Sequence, residues 1–147
     1  MIDYKLLNSQ IKAMADGEKN KIGLLANVAA LIKEATGWLW VGFYLVKDDE
    51  LLLGPFQGSV ACLRITRGKG VCGTAWQKGT TVIVPDVEQF PGHIACSTLS
   101  RSEIVVPIFV KDEIVGVLDV DSEDLNSFTE TDAEGLENIC ATIAENF

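Results

Sequence analysis

At 147 residues, with 48% hydrophobic side chains, the chain suits one domain that buries well over half of its unfolded surface, and it is too apolar to be disordered. A net charge of -9 excludes a nucleic-acid partner, which needs a basic stripe; the short cluster Arg64, Arg67 and Lys69 reads as a solvated turn. There is no secretory leader pattern and no apolar run near the roughly 18 residues that span a bilayer, so a cytoplasmic protein with no membrane partner is expected, its four cysteines serving as free thiols, metal ligands or redox groups.

Apolar residues recur at Leu6, Leu7, Ile11 and Met14, and again at Ile22, Leu25, Ala26, Ala29 and Ile32. Both sets fit the helical period, so helices are predicted over residues 3–15 and 18–35, the second closed by Gly37. From Trp38 the chain changes to short strands: "WLWVGFYLV", then "ELLLGPF" after the turn "KDDE", then "VACLRI". The turn "TRGKG" leads into a short helix, "VCGTAWQKG", followed by the strand "TVIVPDV" and a polar loop over 86–102. "EIVVPIFV" and "EIVGVLDVDS" flank the two-residue turn Lys111-Asp112 and should form a tight hairpin. The last twenty residues read as an amphipathic helix capped by Thr129 with Asp132. This order predicts a single α+β domain over residues 1–147, with a mainly antiparallel sheet and helices packed on one face.

Strand alternation separates Leu118 and Val120 from Asp119 and Asp121, which share the opposite face with Val117. Two adjacent carboxylates suit a ligand ammonium, or a carboxyl kept protonated as a proton donor; a strand end opening to water is the plainer explanation. Trp40, Gly42 and Tyr44 share a face of the first strand and can form an aromatic pocket wall or simply core. The start of the short helix, at Gly70, Val71 and Cys72, presents free N–H groups that can hold a carboxylate and would lower a thiol pKa; a plain helix start fits as well. Metal binding is not expected, because no cysteine or histidine pair has the close spacing of a zinc site. His93 lies three residues before Cys96 in a loop and reads as a solvated residue. Cys140 falls on the apolar stripe of the last helix and reads as core, which leaves Cys62, Cys72 and Cys96, in or beside turns, as candidates for redox chemistry.

The stretches "ACLRITRGKGVCGTAW", "GHIACSTLSRSEIVVPI" and "IVGVLDVDS" resemble the free methionine-(R)-sulfoxide reductases, which are single GAF domains, and the resemblance covers nearly the whole chain. It implies a six-stranded antiparallel GAF sheet and thiol-dependent reduction of free methionine-(R)-sulfoxide, with no cofactor. By the same resemblance, Cys96 is the nucleophile and Cys62 its resolving partner, with Cys72 an alternative in either role. Glu103, Asp119 and Asp121 become the acidic residues of the pocket, with Trp40 facing the methyl sulfoxide; Tyr44, on the same strand face as Trp40, is expected to bind substrate too. The family chemistry is a cysteine sulfenic acid, then an intramolecular disulfide, then recycling by thioredoxin. Other GAF proteins also allow a homodimer through apolar helix faces, and a non-catalytic role as a small-molecule or redox-sensing module is the competing reading. Two positions depart from the family pattern: Thr66 stands where a proline is common, which should loosen the turn holding Cys72, and Ser97 where an acidic residue is common.

Overall fold

A computed structural model describes residues 1–93 and 99–147. Two helices open the chain, α1 (Tyr4–Ala15) and α2 (Lys21–Thr36). The Asp3 side chain accepts from Leu6 N–H and that of Asn20 from Gly23 N–H, which satisfies N-terminal groups that no helical carbonyl can reach. Gly37 ends α2 in the left-handed conformation expected of it. Strands β1 (Trp40–Lys47), β2 (Glu50–Gln57) and β3 (Arg64–Thr66) follow, then helix α3 (Gly70–Lys78) and strand β4 (Val82–Val84). After a short 3-10 turn come β5 (Ser102–Val110), β6 (Glu113–Ser122) and the closing helix α4 (Glu130–Ala144).

All strand pairs are antiparallel, and the six strands run in the order β3-β2-β1-β6-β5-β4. The two hairpins turn on Asp48-Asp49 and Lys111-Asp112, all four residues at positive φ, which matches the twist of the flanking strands. The expected strand over residues 60–65 survives only as β3. Residues 59–63 leave the sheet because side chains and one ladder-like bond hold them instead: Trp40 Nε1–H donates to Ser59 O at 2.9 Å, Tyr44 O–H to Cys62 O at 2.9 Å, and Leu53 N–H to Leu63 O at 3.0 Å.

The pleat gives the sheet two apolar faces. On one, Val41, Phe43, Ile104, Val106, Leu118 and Val120 pack against α1, α2 and α4, so the three long helices do share one face. On the other, Trp40, Tyr44, Val105 and Val117 pack against Val71, Cys72, Ala75 and Trp76 of α3. The short helix thus covers the opposite face, and the site forms beneath it. Helix α4 is closed by the expected capping box: Thr129 accepts from Asp132 N–H while Asp132 accepts from Thr129 N–H. Tyr4 O–H also donates to Asp132 Oδ1 at 2.6 Å, which ties α1 to the start of α4. Among the described residues, no helix is long and apolar enough to cross a membrane.

Candidate active site

Register decides where the acidic residues meet. In the β5-β6 ladder Glu103 lies opposite Asp121 and Val105 opposite Asp119, while β1 sets Trp40 opposite Asp121 and Gly42 opposite Asp119. Glu103, Asp119, Asp121 and Trp40 therefore share one sheet face by pairing alone, and with Tyr44 and Cys72 they line one pocket. The strand ends are pinned where the acids sit. Ser102 O–H donates to Asp124 O at 2.6 Å, Ser122 and Ser127 hydroxyls meet at 2.6 Å, and Ser100 O–H donates to Asp121 Oδ1 at 3.1 Å.

The aromatic wall is set by glycines. A side chain at Gly42 or Gly58 would run into the Trp40 ring, so both must be glycine for the indole to lie flat. The space beside Gly42 is filled by that ring and by Phe56. Trp40 stacks on Phe56 (centroids 5.2 Å, 16° between planes) and on Tyr44 (6.2 Å, 24°).

Burial dominates the electrostatics. Glu103 and Asp119 are each 6% exposed, and the one basic side chain found against a carboxylate among the described residues is His93, whose Nε2 lies 3.8 Å from Glu103 Oε1. Two full charges about 5 Å apart repel by about 3 kcal/mol even at an effective dielectric near 20, which disfavours complete ionisation of the cluster. Burial, then the charges of Asp119 and Asp121, pushes the Glu103 carboxyl well above its usual range; Asp121 is raised by burial and then by the charge of Asp119, against the hydrogen bond from Ser100. Burial also raises Asp119, partly offset by hydrogen bonding with Glu103 and Cys72. Even so, Asp119 Oδ1 is buried without a hydrogen-bond partner among the described residues. His93 is lowered by desolvation against a smaller opposing pull from Asp119, so it is neutral at physiological pH.

Cys72 corrects one expectation. Its place in the first turn of α3 should lower its pKa, but burial and the neighbouring Asp119 and Glu103 raise it well above the usual value, so it rests as a thiol. The N-terminus of α3 nonetheless keeps its capacity for an anion. Lys69 supplies no side-chain cap, and Lys69, Gly70, Val71 and Cys72 all line the pocket. Thr66, the departure from the family's proline, leaves the turn closed: Lys69 N–H donates to Thr66 O at 3.1 Å and Gly68 N–H to Gly73 O at 2.9 Å.

Cys62 sits half-buried where the 59–63 segment passes Tyr44, and it is disulfide-bonded, whereas Cys72 and Cys140 carry free thiols. Cys140 is core, as expected. Cys96 and Ser97 lie outside the described residues. Sequence reasoning missed His93 and Ser100 as pocket residues: His93 reads as a solvated loop residue, and only the closed fold turns it toward Glu103. The polar stretch containing "GHIAC" was the available signal.

Residues 22–147 match the GAF domain family model. The chain is 48% identical to the free methionine-R-sulfoxide reductase of Escherichia coli, over 95% of this chain and 86% of that one. It is 45% identical to the free methionine-R-sulfoxide reductase of Saccharomyces cerevisiae, over 90% of this chain and 78% of that one. It also superposes on the free methionine-R-sulfoxide reductase of Neisseria meningitidis, solved in complex with its substrate, with a TM-score of 0.95 and 53% identity, covering 98% of this chain and 87% of that one. With the sheet order, the pocket and these relatives in agreement, the chain belongs to the free methionine-R-sulfoxide reductase family of GAF domains.

Proposed function

We propose that this protein reduces free L-methionine-(R)-sulfoxide to methionine. The observation that carries the reading is a trio of carboxyls, two buried (Glu103 and Asp119) and one half-buried (Asp121), with no lysine or arginine paired to it among the described residues, set between an aromatic wall and an uncapped helix N-terminus. An amino acid answers each part. Its ammonium neutralises the acids and meets the unpartnered oxygen of Asp119, its carboxylate takes the N–H groups of α3, and its methyl sulfoxide lies against Trp40. A peptide-bound methionine has neither free terminus to offer, which accounts for selection of the free amino acid.

In the proposed chemistry the Cys96 thiolate attacks the sulfoxide sulfur while a protonated pocket carboxyl, Glu103 or Asp121, gives its proton to the oxygen. The hydroxyl then passes from the substrate sulfur to Cys96 Sγ as the bond between the two sulfurs and the old sulfur–oxygen bond break, so methionine departs and Cys96 is left as a sulfenic acid. The Cys62 thiol then attacks that sulfur, water leaves and a disulfide forms; the two thiols of thioredoxin reduce it in turn. The disulfide-bonded state of Cys62 supports this pairing, and the raised pKa of Cys72 argues against it as first nucleophile.

The test is thiol-dependent turnover of separated R and S epimers of free methionine sulfoxide, with wild type beside Cys96→Ser. Turnover of the R epimer alone, lost in the variant, is expected. No turnover of either epimer by folded, reduced protein would overturn the reading and favour a sensing module.

A further inference from the structure

The pocket holds one side chain, the buried Cys72 thiol beside the acids, that an amino-acid substrate does not explain. Cys72 Sγ, a Glu103 oxygen and an Asp119 oxygen all lie within 4.8 Å of one another. Their residues are 4%, 6% and 6% exposed. Asp119 Oδ1, buried and without a partner among the described residues, carries an unmet desolvation cost of about 1–3 kcal/mol until something positive reaches it. An ammonium answers that oxygen but gains little from a neighbouring sulfur. A thiolate beside two carboxylates, with the His93 imidazole 3.8 Å from Glu103, is a donor set for a borderline-soft divalent ion. Mg2+ and Ca2+ require oxygen shells of six or more and do not suit it.

We propose that the pocket binds one Zn2+ through Cys72, Glu103 and Asp119, with His93 or a water as fourth ligand, and that the ion and the amino-acid substrate exclude each other. Only the exclusion rests on the reductase reading; the binding does not. Tetrahedral Zn2+ with bonds of about 2.0–2.3 Å sets its donor atoms roughly 3.3–3.8 Å apart. Atoms already within 4.8 Å must close by about 1 Å, a side-chain adjustment. Coordination sends to solvent the Cys72 S–H proton and any proton that the raised Glu103 and Asp119 carboxyls hold, and it moves no electrons. The ion's two positive charges then sit among three anionic ligands, which removes the carboxylate repulsion. Zinc would thus withdraw the enzyme from turnover reversibly, with no thiol oxidised.

The experiment uses the full chain prepared without reductant, so that Cys62 stays in its disulfide. Zn2+ binding is followed by equilibrium dialysis, and Co2+ serves as a spectroscopic substitute. One equivalent of Zn2+ is expected, together with a thiolate-to-cobalt charge-transfer band in the near ultraviolet that added Zn2+ removes. Cys72→Ser, checked for folding by near-ultraviolet circular dichroism, should abolish the band and weaken Zn2+ binding about 100-fold or more, beyond the range for loss of an outer-shell partner. Asp119→Asn should weaken binding likewise and covers the case in which Cys72→Ser does not fold. No band, or a band that persists in Cys72→Ser, would overturn the site. In turnover assays of reduced protein Zn2+ should raise KM for the sulfoxide with kcat unchanged, and full activity at saturating Zn2+ would overturn the exclusion. Failure of the reductase reading is distinct, because it appears as no turnover in chelator-treated, metal-free protein.

Discussion

Gly42→Ala tests the claim that a glycine sets the aromatic wall. The new Cβ would lie 2.5 Å from Trp40 Cη2 and 2.7 Å from Cζ3, and would also press on Phe56. Carbon atoms pack at about 3.5–4.0 Å, so the indole must retreat by about 1 Å. It has little room: Nε1–H is tied to Ser59 O at 2.9 Å, and Phe56 and Tyr44 stack against the ring. Overpacking of this kind costs about 1–3 kcal/mol, and at about 3 °C per kcal/mol for a domain of this size Tm should fall by about 3–9 °C. A misplacement of about 1 Å at a reacting centre costs up to about 100-fold in rate, so kcat/KM for the free R epimer should drop by about 10- to 100-fold while the carboxyls stay in place. Differential scanning calorimetry and initial-rate kinetics on the same preparation read both effects. A variant with wild-type Tm and wild-type kcat/KM would refute the reasoning, since the ring would then have space that the packing denies it.

Two further outcomes follow from the same physics. Because Glu103, Asp119 and Asp121 are raised above their unfolded values, the native ligand-free protein holds protons that the unfolded chain releases. Their contribution to stability should therefore be fully present below the ordinary carboxylate range and be lost as pH rises from there through the raised values, at up to 1.36 kcal/mol per unit for each full proton of difference. Denaturant melts across pH should show a shallower fall for Glu103→Gln, with greater stability than wild type at neutral pH and loss of sulfoxide turnover; an unchanged slope would count against the carboxyl trio as its source. Thr129→Ala removes one half of the capping box of α4 and should cost about 1 kcal/mol in urea unfolding with kinetics unchanged, because the box lies in the helical layer away from the pocket.

Much of this molecule is local and so is legible in the residues. The two-residue turn at Lys111-Asp112 sets a hairpin, Thr129 and Asp132 start α4, and a period of two puts Asp119 and Asp121 on the same face as each other and apart from Leu118 and Val120. Trp40 and Tyr44 sort the same way, and resemblance to the reductase family adds Glu103. The signals fail where a long-range partner outweighs a local preference. "VACLRI" has strand composition, yet Trp40 and Tyr44 hold residues 59 and 62 by hydrogen bonds, and the segment becomes pocket rim with only Arg64–Thr66 left in the sheet. Cys72 sits at a helix start that favours a thiolate, yet burial beside Asp119 and Glu103 keeps it protonated.

The meeting of Glu103 with Asp121, and of both with Cys72 and His93, is a matter of register and layering. These residues come from β5, β6, α3 and the loop before β5, and no spacing along the chain encodes the distance between them. Sequence determines which face of its own element each side chain occupies, because φ/ψ and the side-chain period are local. Tertiary structure alone decided that those faces turn toward one another, because strand pairing and the packing of α3 join residues far apart in the chain; that meeting converts three ordinary carboxylates into a crowded, strongly perturbed site.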